Sequence, residues 1–353
     1  MNANHETLPA ELWLEIFEHL EERSYSALYT PFQPSDTARD VKSAYSAVVL
    51  VCRNWHNWAT SFLYRNVKLP DSVSSWATTR PEYGRWVRRM TLLSDSLSPA
   101  QIFGICPNIT VLDRRQPQRL TFNRNVPSPA LSLKRLDWLI YGHDAIGSVD
   151  PLWEVLCAAP NLEYLFLSMP RTESYIGCSH DFTKVMHLPS LRTLRIGVAN
   201  IDLVRCISLW SLPSLTTFIM DSPLIETGVR LVWANHGSHL QTVELANYLL
   251  RHDRSIARCL QACPALHELN YHLFVMKGRT PRSQSSVCIS VYILKCRGSG
   301  HTWSGIFSLS QGCPNLRTLK LYETPKWMSA DDRFAVMLKP LIDRGCVLEI
   351  LDA

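Results

Sequence analysis

An eight-residue pattern recurs along most of the chain, with apolar residues at its third, sixth and eighth places and proline commonly at the first. Clear copies start at Pro160 (Leu162, Leu165, Leu167), Pro189 (Leu191, Leu194, Ile196) and Pro314 (Leu316, Leu319, Leu321). Copies with one or two changes start at Pro107, Pro213, Ser238 and Pro264, and weaker ones at Arg85, Leu131, Ser286 and Gly345. One such octet has no weight, because leucine is common. Eleven starts at a mean spacing of about 26 residues fit the ~20–29-residue period of short strand-and-helix repeats. The end of the octet alternates, which predicts a short strand with its apolar side chains inward and the residues between them facing solvent. Between octets the spacing turns helical. Asp150 and Pro151 supply an N-cap and a first-turn proline ahead of Leu152, Trp153, Val155 and Leu156. Asp253 with Ile256, Ala257 and Leu260 repeats the arrangement, as does Ser329 with Phe334, Val336, Met337 and Leu338. Each unit alone leaves an apolar flank bare, and the next unit covers it. The expected fold is α/β: over residues 70–353, about 11 irregular repeats form a curved solenoid, parallel strands on the concave side and helices on the convex side.

Cys106, Cys157, Cys263 and Cys313 lie just before octets, three of them directly ahead of proline. No Cys-x-x-Cys pair exists and no histidine recurs at a matching distance, so buried thiols at the helix-to-strand corner are expected rather than a metal site. The position resembles that of the cysteine in cysteine-containing leucine-rich repeats.

Residues 1–69 stand outside the pattern. Pro9 opens a helix in which Leu12, Ile16 and Leu20 recur at one-turn spacing, with Phe17 alongside. A second apolar helical stretch runs from Ala44 to Tyr64 and carries Val48, Val51, Cys52, Trp55, Ala59, Phe62 and Leu63. Helices this short bury no full core of their own, so part of their apolar surface is expected to meet another protein. Leu8, Pro9, Glu11, Leu12, Ile16, Phe17 and Leu20, followed by Val51, Cys52, Arg53, Trp55, Leu63 and Tyr64, resemble an F-box motif. The resemblance covers residues 8–64 and includes both ends of the signature. It implies docking onto the Skp-family adaptor of an SCF (Skp–cullin–F-box) ubiquitin ligase, and through it the cullin and RING subunits. The adaptor contacts it implies are Leu8, Pro9, Leu12, Ile16, Leu20, Val51, Cys52 and Trp55. An F-box ahead of leucine-rich repeats is a standard layout of that family. This chain departs from it between Glu21 and Ser43, a connection longer than usual that contains Pro31 and Pro34 and is read as an inserted surface loop. Val41 to Leu50 matches the family's middle helix only loosely.

Composition narrows the class. Hydrophobic residues at 46% permit a substantial core and exclude global disorder. No apolar run reaches the ~20 residues of a membrane-spanning helix, so no membrane partner is expected. The amino terminus lacks the features of a secretory signal. With 11 cysteines, an odd number in a chain too large to need disulfides, free thiols in the cytoplasm or nucleus are expected. A net charge of +5 is modest, and the arginines at 85, 88, 89, 114, 115, 119 and 124 are read as a solvated face rather than a nucleic-acid stripe.

No phosphate-binding loop, dinucleotide turn, zinc-protease helix or nucleophile elbow is present. Gly298-Ser299-Gly300-His301 has no strand-to-helix context, and His236 with His239 is read as a solvated pair in a polar turn. No enzymatic activity, cofactor or metal is expected. The expected role is that of a non-catalytic substrate receptor whose solenoid binds a target protein through solvent-facing octet positions. These include Tyr164, Phe166, Arg195, Ile219, Glu244, Glu268, Asn270 and Lys320, alongside threonines at 193, 217, 242 and 318. The basic loops 277–286 and 295–300 are an alternative surface. The competing reading is a leucine-rich-repeat scaffold or inhibitor outside any ligase, with the amino-terminal helices as its cap.

Overall fold

Where the clear octets are described, their last four residues lie in the strand that the pattern predicts. The computed structural model describes residues 8–22, 47–69, 81–93, 98–114, 129–140, 150–168, 185–197, 201–221, 226–245, 259, 261–273, 288–293, 316–322 and 332–351. The chain divides into two compact units, Met1–Tyr164 and Leu165–Ala353.

The first unit opens with helices α1 (Ala10–Glu22) and α2 (Arg53–Leu63). Strands β1 (Asn66–Leu69), β2 (Arg89–Leu92), β3 (Val111–Arg114) and β4 (Arg135–Leu139) follow, all parallel and paired in chain order. Sixth-place Met90, Leu112 and Leu136 stand in register and are fully buried, as are third-place Val87, Ile109 and Leu133. Each repeat also closes backbone bonds for the next: the Thr110 and Val111 amides donate to the Arg88 carbonyl, and those of Lys134 and Arg135 to the Thr110 carbonyl. Helix α3 (Pro99–Ile105) starts at a capping box. The Gln101 amide donates to Ser98 Oγ at 3.3 Å and the Ser98 amide to Gln101 Oε1 at 2.8 Å. Helix α4 (Asp150–Ala158) buries Leu152, Trp153, Val155 and Leu156 as its spacing predicts.

The second unit repeats the scheme. Strands β5 (Tyr164–Ser168), β6 (Thr193–Gly197), β7 (Thr217–Met220), β8 (Thr242–Leu245), β9 (Glu268–Leu273), β10 (Cys288–Ile293), β11 (Thr318–Tyr322) and β12 (Val347–Leu351) keep chain order. Leu194, Phe218, Val243 and Leu269 form one buried row across four of them. Helices α5 (Ile201–Ser208), α6 (Glu226–His236) and α7 (Asp332–Ile342) alternate with the strands. Parallel strands in chain order, most of them closing a copy of the octet, form an α/β repeat array like that of leucine-rich repeats.

The structure corrects the sequence reading at several places. Asn66 pairs with Arg89, so a repeat begins at Phe62, inside the segment set apart as residues 1–69. It escapes the pattern because Tyr64 stands at its third place. The pairings Cys288 with Glu268 and Val347 with Thr318 move two weak octets to starts at 284 and 343, two residues earlier than expected. A strand alternates with period two, so either start keeps apolar residues on one face where leucines are few. Val347 is accordingly exposed, not inward. In α7 Leu338 and Leu341 are buried and Val336 is exposed, while the side chains of Phe334 and Met337 lie outside the described residues. Cys106 and Cys263 fill buried corners, but Cys157 is exposed and Ala159, next to Pro160, occupies the equivalent corner. The inserted loop beyond Glu22, Cys313, the loops 277–286 and 295–300, residues 298–301, and the Asp253–Leu260 helix except Cys259 lie outside the described residues.

Candidate interaction surfaces

The head formed by α1 and α2 has a core of its own. Trp13 and Phe17, one turn apart, face α2: the Trp13 and Trp55 rings lie 4.5 Å apart, Phe17 and Trp55 5.5 Å, and Phe17 and Phe62 6.0 Å. Phe17, Ala59 and Phe62 are buried at the centre. Large aromatic rings cover more apolar area than leucine, and they take the inside. Leu12 and Ile16 are therefore displaced outward, at 44% and 42% exposure, with Leu8 and Pro9 also exposed at the helix start. A second exposed apolar group lies on the turn leading into α2, where Leu50 is 82% and Val51 56% exposed.

Two expected contacts, both half-buried, carry structural duties. Trp55 packs against Trp13 and Phe17. Cys52 is the N-cap of α2, its sulfur accepting from the Trp55 amide at 3.5 Å. The Leu20 side chain lies outside the described residues.

On the strands, half of the expected target-binding positions are not solvent-facing. Tyr164, Ile219, Glu244 and Asn270 are buried, while Phe166, Arg195, Glu268 and Lys320 are half-buried. Neighbouring strands lie only ~4.8 Å apart, so side chains at equivalent places shield one another. Ile219 sits in register between Arg195 and Glu244, and Glu244 beside Asn270. Tyr164 lies under the Arg135 guanidinium, 4.3 Å from the ring centroid. Arg195 covers Phe166 at 5.0 Å while Nη2 donates to Asp221 Oδ1 at 3.1 Å. Lys320 pairs with Glu349 at 3.5 Å.

The sequence reading missed an ionic ladder on β2–β4. Arg89 lies 3.9 Å from Asp113, and Arg135 Nε donates to both Asp137 oxygens at 3.1 and 3.0 Å. Asp113 and Asp137 are direct register partners and both are buried. Burial pushes the Asp137 carboxyl above its usual range, Arg135 pulls it down, and Asp113 adds to the rise. The recurrence of Asp113 and Asp137 at the seventh octet place was the available signal. Arg114, assigned to a solvated face, is instead buried at an eighth place, its guanidinium 4.7 Å from the Trp138 ring centroid. Arg115, Arg119 and Arg124 lie outside the described residues.

His236 is likewise buried, not solvated. Burial lowers its pKa, although hydrogen bonds to the backbone of Ile207 and Ser208 oppose the shift. The Cys106 thiol is pushed up to about 12 by burial. The Cys259 thiol rises through its hydrogen bond to Cys263 and through burial. Such thiols are unreactive, which fits corner packing. Among the described residues, no three of His, Cys, Asp and Glu converge to hold a metal ion, and no helix is long and apolar enough to cross a membrane.

No protein-family model matches the chain, and no curated protein matches it at a significant level. Among solved structures, the chain is similar to the leucine-rich repeat-containing protein LegL7 from Legionella pneumophila. That similarity has 14% identity and a TM-score of 0.46, and covers 81% of this chain and 90% of that one.

Proposed function

We propose that this chain is a non-catalytic substrate-recognition subunit of an SCF-type ubiquitin ligase. Its head docks the Skp-family adaptor, which brings the cullin and RING subunits, and its repeats hold a target protein. The observation that carries this reading is the exposed apolar pair Leu12 and Ile16 on a helix whose aromatic face already fills the head core. Folding does not require that strip. A helix that merely capped the repeats would turn a polar face outward.

The adaptor contacts are Leu8, Pro9, Leu12, Ile16 and Val51, with Leu50 added. Cys52 and Trp55, both half-buried, also start α2 and hold α1 against it. On the repeats, the half-buried Phe166, Arg195, Glu268 and Lys320 remain accessible to a target. Catalysis belongs to other subunits. A target tethered by this chain meets charged ubiquitin at high effective concentration.

Co-expression with the adaptor tests the reading. The wild-type chain co-purifies with it, and the double variant Leu12→Ser/Ile16→Ser does not while keeping its thermal unfolding profile. A wild-type chain that fails to co-purify would return the head to the role of a cap on an interaction scaffold.

A further inference from the structure

Only Tyr64 and Arg65 separate the last residue of α2 from the first residue of β1. The register of β1 makes Phe62, in the last turn of α2, also the opening residue of the first octet. Head and repeats share residues here and have no linker between them.

Arg65 reaches both sides of the junction, and Tyr64, the C-cap of α2, reaches the repeat side. The Arg65 carbonyl accepts the Arg88 and Arg89 amides at 2.9 and 2.8 Å, which ties it to the start of β2. The Arg65 guanidinium turns the other way, 3.9 Å from the ring centroid of core residue Phe62, and Nη2 donates to Glu18 of α1 at 3.3 Å. Tyr64 stacks on Tyr83 with centroids 4.3 Å apart, and Tyr83 stacks on Trp86 at 5.3 Å, in the 3-10 turn Pro81–Trp86 ahead of β2. The exposed ion pair to Glu18 contributes little alone. The aromatic stack and the cation over Phe62 add directional contacts that a flexible joint would lack.

We propose that Tyr64 and Arg65 weld α1 and α2 to the first repeats, so that the head and β1–β4 open as one cooperative body. A partner held on α1 and a ligand held on β1–β4 then keep one fixed angle and stabilise each other, because each binds the same folded body. The weld itself does not depend on what the head docks.

Hydrogen exchange of the full chain across a denaturant series tests this. In the wild-type chain, amides of α1, α2 and β1–β4 exchange through one shared opening. In Tyr64→Ala/Arg65→Ala, α1 and α2 amides exchange at least about tenfold faster while those of β3 and β4 keep their rates. A separate, easier opening of α1 and α2 in the wild-type chain would overturn the proposal, as would unchanged rates in the double variant. If the double variant unfolds β3 and β4 too, the single variants Tyr64→Leu and Arg65→Leu decide: faster exchange confined to α1 and α2 in either supports the weld, and unchanged rates in both contradict it. No adaptor enters the measurement, so its result stands apart from that of co-purification.

Discussion

Trp55 and Leu12 both belong to the F-box-like signature, yet they sit on opposite sides of the head surface. Trp55→Ala removes a ring packed against Trp13 and Phe17 and should cost about 3–5 kcal/mol in denaturant unfolding. Leu12→Ser or Ile16→Ser removes exposed side chains and should stay within about 0.5 kcal/mol. The sequence marked all of these as apolar and helical but did not say which would be buried. Leu12, Trp13, Ile16 and Phe17 offer two apolar faces, and only packing against α2 decides between them. Asp137 was legible only through the repeat: Asp113 holds the same octet place one unit earlier, and the register sets the two carboxyls side by side. Because the folded pKa of Asp137 is raised, its contribution to stability is fully present below the ordinary carboxylate pKa of 3.8 and is lost as pH rises through the folded value. The stability difference between wild type and Asp137→Asn should therefore fall as pH rises through that window. A difference that stays flat with pH would contradict the burial assigned to this carboxyl.

At the scale of elements, the octet made the strands legible wherever leucines filled its places. β1 and the starts of β10 and β12 escaped it, because Tyr64 replaces a leucine and period-two alternation tolerates a two-residue shift. Leu194 lies in the buried sixth-place row, so Leu194→Asp should destabilise the second unit by about 3 kcal/mol or more, read by thermal unfolding. Gly84 shows a constraint that no hydrophobic pattern reveals. A Cβ there would meet the Ile105 carbonyl oxygen, so Gly84→Ala should cost about 1–3 kcal/mol. At the end of α6, against the last turn of α5, burial lowers the His236 pKa, with the opposite consequence to that of Asp137. Its stabilisation is present above the ordinary histidine pKa of 6.5 and is lost as pH falls through the folded value. Acidification in that range should lower the melting temperature of the wild-type chain more than that of His236→Gln.

For the whole molecule, the repeats carry the division of labour. Stacked octets bury their leucines between neighbours, and the head at the amino-terminal end fills its core with aromatic rings and leaves smaller apolar side chains outside. The strand faces are less open than alternation alone implies, because ion pairs and neighbouring side chains close over them at Tyr164, Ile219, Glu244 and Asn270. A target would meet a surface of half-buried rings and paired charges, where hydrogen bonds and shape outweigh free charge. Calorimetric titration of the purified full chain with the Skp-family adaptor tests the central claim most directly. The account predicts saturable binding by the wild-type chain and a loss of about 100-fold or more in Leu12→Ser/Ile16→Ser, since each buried aliphatic side chain contributes about 1.5–3 kcal/mol. Equal affinity for the two chains, with both folded, would contradict it.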